Sequence, residues 1–418
     1  MTNYRSKTCC VVDNGLFLEV AITLAKDFGK VLYYMPWQSG YPTSNVLLVG
    51  HGIPGVTRID SFWPLLDEID LFVFPDVYEG PLQEHLASLG KRVWGSRNGD
   101  QLELFRADSK KHMKSLGIDI GPWKLIKGID KLREHLEKHD DQWVKISRTR
   151  GDFETFHAEN YDLVKPKIDE LEHQLGAKGE IMEFIVEEGI PDAVEIAYDG
   201  FTIDGKFAKN ATFGIEVKDK GLVTKTTKYD ALPEQLRTVN DKLKGTLAEF
   251  RYRNFLAVEM RITKDGTPYV IDPCCRAGSP PSELLLELIC NWADIMWEGA
   301  EGTVVEPVFQ AKWGAELLLI SDWGDTHWQP LQFPKSIREQ VKLRYAAVID
   351  GTYYVVPQAS AHPEIGAVVA TGDTMDAAIK EVCAIAEKVK GFYVEVVPEC
   401  LDEAQEQFDK LREFGIKV

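Results

Sequence analysis

Residues 255–279, FLAVEMRITKDGTPYVIDPCCRAGS, hold this chain's most chemically informative side chains. Asp265-Gly266 reads as a two-residue hairpin turn with φ > 0 at both positions, joining two strands. In that register Lys264 pairs with Thr267, Arg261 with Val270, Met260 with Ile271, and Glu259 with Asp272. Directly opposed side chains have Cβ atoms about 4.5–5.5 Å apart, where two carboxylates repel. Alternation along the strand puts Cys274 and Arg276 on the face of Asp272. The neighbours Val258, Met260, Val270 and Ile271 are apolar and limit solvation of the pair. Two carboxylates placed this way need a cation between them. Oxygen-only ligation suits Mg²⁺, which keeps several waters and shares its remaining positions with substrate phosphates. The competing reading is a polar-faced hairpin whose register is one or two residues off.

Cations precede this hairpin. In Gln142-Trp143-Val144-Lys145-Ile146, Lys145 points away from the face of Val144 and Ile146. The loop after it, Ser147-Arg148-Thr149-Arg150-Gly151, offers two guanidiniums, two hydroxyls and a glycine. Arg binds phosphate as a fork and Gly lets backbone N–H groups approach, so the combination suits phosphate. Alone, the segment equally describes a lysine on a solvated edge strand. Glu180, Glu183, Glu187 and Glu188 crowd one stretch, with Met182, Phe184 and Val186 on the opposite parity; such a cluster is ordinarily a solvated face. The nine histidines show no HExxH or paired spacing, and neither GxSxG nor a Walker-type loop occurs. Zinc-hydrolase, serine-hydrolase and P-loop chemistry are disfavoured.

Positioning these groups falls to a chain of 418 residues, enough for two to four packed units. Its 44% hydrophobic and 27% charged residues are those of a soluble globular protein. A formal charge of −18, from 48 Lys+Arg against 66 Asp+Glu, argues against a dedicated nucleic-acid binder. With no run of 18 apolar residues and no signal-peptide pattern, the expectation is a cytoplasmic protein that does not use a membrane. The seven cysteines include the adjacent pairs Cys9-Cys10 and Cys274-Cys275, a spacing unsuited to ordinary disulfides or a CxxC zinc site. Cys290 and Cys383 sit in apolar helical patterns and are expected as small buried hydrophobes.

Residues 9–120 alternate apolar runs with helical patterns, the βαβ rhythm of an open parallel sheet. The first turn, Asp13-Asn14-Gly15, lacks GxGxxG. Four units follow from the patterning: 1–117, an α/β domain; 118–186, a small subdomain; 187–304, a larger one carrying the hairpin; and 305–418, a C-terminal domain. The last is expected to include a strand over 392–397 and a terminal helix over 401–414 with Ala404, Phe408 and Leu411 on one side.

This order of parts resembles the ATP-grasp superfamily, and within it phosphoribosylamine–glycine ligase. Three segments carry the likeness: residues 70–118, with Ser109-Lys110 on a helix; the hairpin, 258–280; and IGAVVATGDTMDAAIKEVCAIAEKV, 365–389. The resemblance implies an ATP-grasp fold, mixed α/β and α+β, with an N-terminal βαβ (pre-ATP-grasp) domain and a small C-terminal α+β domain. It implies that Lys110 and Lys145 contact the phosphates of ATP, with Arg148 and Arg150 replacing a Gly-rich lid. Glu183, with backbone groups of Phe184 and Val186, would hold the adenine. Glu195, or in competition Asp192, would bind the ribose. Glu259 and Asp272 would bind Mg²⁺, with Mn²⁺ as the alternative ion. Arg276 would orient the substrate carboxylate or the transferred phosphoryl group, sharing the catalytic role with Lys145.

The implied activity is ATP-dependent joining of a small carboxylate, an amino acid by preference, to an amine through an acyl phosphate, in a protein compatible with a homodimer. Two departures stand out. Cys274 replaces the superfamily's usual Asn, and thiolate is a soft ligand for a hard ion. The N-terminal turn and Ala277-Gly278-Ser279-Pro280-Pro281 differ from the glycine ligase, which points to a different acid or amine. A nucleotide binder without catalysis, or a phosphotransferase that stops at the phosphorylated product, are the alternatives.

Overall fold

In a computed structural model, residues 4–36, 48–146, 155–358 and 363–418 are described. The N-terminal rhythm builds a five-stranded parallel sheet in the order Val56–Ile59, Lys30–Tyr34, Thr8–Val12, Leu71–Val73, Arg92–Trp94. Its strands are apolar on both faces, as a covered parallel sheet requires. Cys9 and Val11 face the main core while Cys10 and Val12 face a second cluster with Phe62 and Phe72.

A second body has its own sheet and core. Trp123–Lys127, Glu183–Glu188, Gln142–Ile146 and Thr155–Ala158 pair antiparallel in that order. The helices Ile129–Leu136 and Tyr161–Leu175 bury Leu132, Leu136, Ile168 and Leu171 with Val144, Phe184 and Val186.

The largest sheet has nine strands. The hairpin Arg253–Thr263 and Pro268–Cys274 forms one end, followed by Ala193–Ile203, Asn210–Val217 and Gly221–Lys228. Trp313–Ile320 then joins Gly221–Lys228, with Lys225 opposite Trp313, and Glu364–Gly372 follows. Strands on both sides of residue 305 therefore belong to one sheet. The helix Cys400–Glu413 closes its back, burying Ala404, Phe408 and Leu411, with Phe408 edge-on to Trp313.

Two expectations need correction. Residues 392–397 form no strand, only a bridge between Glu395 and Ile320; Tyr393 at φ 51° breaks the extended run. Cys290 is exposed rather than buried, and all seven cysteines are free. Among the described residues, no helix is long and apolar enough to cross a membrane.

Candidate active site

Glu259 does lie opposite Asp272, but by a different route from the expected one. The turn has three residues. Thr263 N–H donates to Thr267 O at 3.1 Å, Gly266 N–H to Thr263 O at 2.8 Å, and Gly266 alone takes a positive φ, 84°. Asp265 stabilises this form by accepting from the Thr263 hydroxyl at 2.6 Å and Thr267 N–H at 3.1 Å. A turn followed by a left-handed glycine is the usual three-residue hairpin. The extra residue places Arg261 opposite Tyr269 and Met260 opposite Val270, so the expected Lys264–Thr267, Arg261–Val270 and Met260–Ile271 pairs do not form. Ile271 is then left over as a bulge, which restores Glu259 to Asp272. The carbonyl of Ile271 accepts from Lys145 Nζ at 3.2 Å.

Charges of both signs alternate behind the hairpin. Arg106, at the start of the helix Arg106–Ser115, reaches Asp272 Oδ2 at 2.5 Å. Lys145 Nζ is 3.5 Å from the same oxygen and 3.4 Å from Glu187 Oε1, which lies 2.9 Å from Lys110 Nζ. The run therefore holds three cations and two carboxylates, with the three cationic side chains 4–5% exposed. Burial pulls the Lys110 ammonium below its ordinary range despite Glu187. For Lys145, burial acts in the same direction but Asp272 and Glu187 outweigh it and raise its pKa.

The two facing carboxylates are unlike. Burial would raise Asp272, but Arg106, Lys145 and Lys110 hold it down at about 2. Glu259 is pushed up to about 7 by burial, with Lys218 opposing and Glu195 and Asp272 adding to the rise. Repulsion across the hairpin is thus relieved by cations on one side and by protonation on the other.

Arg276 is fixed by Glu103. Its Nε donates to Glu103 Oε1 at 3.1 Å and its Nη1 to Ala277 O at 2.9 Å, while Cys275 N–H donates to Glu103 Oε2 at 2.7 Å. Burial pushes the Cys274 thiol well up, so it stays protonated. Among the described residues, no set of three or more His, Cys, Asp or Glu side chains is arranged to hold a metal by itself. The Glu259–Asp272 pair therefore fits an ion that takes two carboxylates and completes its shell with water and phosphates, as Mg²⁺ does.

No family model matches the chain, and no curated protein matches it by sequence. Solved structures do match along almost its whole length. Phosphoribosylamine–glycine ligase from Thermotoga maritima superposes with a TM-score of 0.69 at 17% identity, over 93% of this chain and 98% of that one. The biotin carboxylase domain of Hydrogenobacter thermophilus 2-oxoglutarate carboxylase, solved with MgADP and bicarbonate, gives 0.66 at 13% over 98% and 95%. N5-carboxyaminoimidazole ribonucleotide synthetase in its ADP complex gives 0.58 at 14% over 91% and 96%. The chain has the ATP-grasp fold.

In this fold the cleft between the small and large sheets is lined by Lys145, Glu195, Glu259, Asp272 and Arg276, all anticipated as site residues. Lys110 stands one contact behind, through Glu187. Glu183, Phe184 and Val186 are not brought to the cleft. Their strand is flanked on both sides by partners, which occupy its backbone groups, and Phe184 and Val186 point into the core. Glu183 sits at the far end, opposite Lys127; the cleft wall is Glu187, Glu188 and Ile190 instead. Asp192 takes a positive φ in the turn before Glu195 and does not line the cleft. Arg148 and Arg150 lie outside the described residues.

Sequence reading missed Arg106, Glu103 and the bridging role of Glu187. Arg106 had a local signal: it stands one helical turn before Lys110, with Ser109 and Met113 also buried.

Proposed function

We propose that this protein is an ATP-dependent carboxylate–amine ligase working through an acyl phosphate. The observation that carries the reading is the buried run Lys110–Glu187–Lys145–Asp272–Arg106, with one more cation than carboxylates, opening beside Glu259. Cations gathered at one wall of a low-dielectric cleft, beside two carboxylates that can hold a metal ion, are what a polyphosphate would complete. Lys145, tied to both carboxylates, would stay charged and face the transferring phosphoryl group, with Lys110 supporting it through Glu187. Mg²⁺, bound by Glu259 and Asp272, would neutralise charge on the phosphates. Arg276, held by Glu103, would present its remaining N–H groups to the acid. Glu195 would reach the ribose, and Glu187, Glu188 and Ile190 would border the base. The amine would attack the acyl phosphate and expel phosphate, with no enzyme nucleophile.

An acid–amine pair other than glycine and phosphoribosylamine is supported by the N-terminal turn. There Gly15, at φ 108°, is covered so closely by Tyr345 that a Cβ would lie 2.6 Å from its ring. The reading also includes a cytoplasmic homodimer; the Hydrogenobacter domain is described as a dimer. ADP formation from Mg-ATP with pooled amino acids and amines, followed by mass spectrometry for an amide, tests it. ADP with a phosphorylated acid but no amide favours the phosphotransferase. No substrate-dependent ADP in any mixture favours the binder.

A further inference from the structure

Beyond the hairpin the cleft continues into a chamber of about 50 Å³, with Glu216, Lys218, Glu259, Cys274 and Arg276 at the neck between them. Ser279 and Pro281 lie on one side and Asp199 on the floor. The nucleotide reading uses only the neck of this chamber, yet Asp199 on its floor carries a polar atom without a partner, and Thr224, behind the lining, carries another. Asp199 is 2% exposed, and its Oδ2 has no hydrogen-bond partner among the described residues. Thr224 is fully buried, and its Oγ1 is likewise unpartnered. Buried polar atoms are nearly always paired, so two orphans together ask for a ligand.

Gly214 stands between the two residues, opposite Thr224 in one ladder and Ala197 in the other. A Cβ placed on Gly214 would lie 3.0 Å from Asp199 Oδ2, 2.8 Å from Thr224 Oγ1 and 3.0 Å from Leu222 Cδ1. A glycine is therefore what lets the carboxyl and hydroxyl oxygens lie close together over this strand. At the neck, Arg276 spends Nε on Glu103 and Nη1 on Ala277 O, which leaves Nη2 for a ligand. Asp199 and Cys274 are each one rung from Ala257, so their backbones are about 10 Å apart. A chamber of this volume admits only a short acid.

We infer that Asp199, with Thr224 behind it, forms a specificity subsite for the ammonium group of a short amino acid whose carboxylate Arg276 holds at the neck. This rests on the ligase reading for the fate of that carboxylate, which would be phosphorylated; the subsite itself rests on the chamber. An acid lacking the amino group would leave Asp199 unpaired, and the site would reject it for that reason.

Two measurements on the full-length protein separate the claims. Calorimetry in Mg-ADP compares glycine with acetate and β-alanine with propionate, for wild type, Asp199→Asn and Thr224→Val. At least one amino acid should bind wild type more tightly than its partner acid. Asp199→Asn should cut that preference about 10- to 100-fold at a pH of about 9, where Asp199, pushed up to about 8 by burial and Glu259, is ionised and its hydrogen bond charge-assisted, and Thr224→Val should cut it less. In parallel, ADP release from Mg-ATP is followed with hydroxylamine present to trap acyl phosphate as hydroxamate. Asp199-dependent binding without hydroxamate would keep the subsite and sink the ligase reading. Hydroxamate formed equally from amino acids and plain acids would keep the ligase and sink the subsite. A preference that survives in both variants, or no binding by either amino acid, would also overturn the subsite.

Discussion

Replacing either hairpin carboxylate removes the same proposed ligand, yet the fold should respond in opposite ways. Asp272 is held at about 2 against an ordinary 3.8. At about 1.36 kcal/mol for each tenfold change in proton affinity, its ionised form contributes about 2.5 kcal/mol at neutral pH. Its folded pKa is depressed, so that stability is present above pH 3.8 and lost as pH falls towards about 2. Asp272→Asn also strands Arg106 and Lys145, and breaking a buried pair typically costs about 3–5 kcal/mol. The variant should therefore lose about 2–4 kcal/mol. Glu259 is different, since burial pushes it up to about 7 and its charged form is already unfavourable in the fold. Glu259→Gln should be neutral or stabilising, the more so above pH 7. Urea denaturation with EDTA and no nucleotide, followed by tryptophan fluorescence, measures both. Tripolyphosphate should raise the midpoint of Asp272→Asn more than that of wild type, because the variant's cluster has one more uncompensated positive charge. If Asp272→Asn loses less than about 1 kcal/mol, or Glu259→Gln loses as much, the charge run is not what holds the hairpin.

Lys145→Met should lower Mg-ATP affinity and abolish turnover, because it removes the cation shared by Glu187 and Asp272; equilibrium dialysis and ADP release report the two effects. Arg276→Lys should lower kcat/KM for the acid about 10- to 100-fold, with ATP binding near wild type, since Lys cannot reproduce the fork tied to Glu103. Loss of ATP binding instead would place Arg276 in the wrong half of the site. Asp13 is pushed up to about 6 by burial and by Asp76, while its Oδ2 alone takes the Gly15, Phe17 and Tyr33 hydrogen bonds. Because that folded pKa is raised from 3.8, protonation stabilises the fold below pH 3.8 and this gain disappears as pH rises through about 6. Asp13→Asn should thus gain up to about 3 kcal/mol on wild type at pH 8 and much less at pH 4.5, read as the difference in urea midpoints. An equal difference at both pH values would count against a buried charge there.

The parts legible in sequence were those encoded by short-range pattern. The parallel sheet followed from apolar runs separated by helical stretches, and the terminal helix from the spacing of Ala404, Phe408 and Leu411. Glu259 and Asp272 face one another as expected only because the bulge at Ile271 offsets the longer turn. Errors arose where the deciding contact was distant or the parity ambiguous. Arg106 meets Asp272 across 166 positions; its helix marks it as sharing a face with Lys110 but not the carboxylate it meets. The acidic strand shows which residues alternate but not which end reaches the cleft, so Glu183 was chosen where Glu187, Glu188 and Ile190 form the wall. The orphan atoms over Gly214 need three strands in register before they become visible.

The hairpin's three-residue turn and the bulge at Ile271 each add one residue between Glu259 and Asp272, and this has an evolutionary consequence. Losing one turn residue would leave Thr263 opposite Thr267 across a two-residue turn, with every rung behind it, Glu259 and Asp272 included, unchanged. Losing Ile271 would close the bulge with the carboxylates still facing, but would take away the carbonyl that accepts from Lys145. The two lengths are therefore independent, and only the second is tied to the site. Relatives of this chain should vary in length at the turn and keep the bulge, so an alignment gap in this hairpin belongs at the turn.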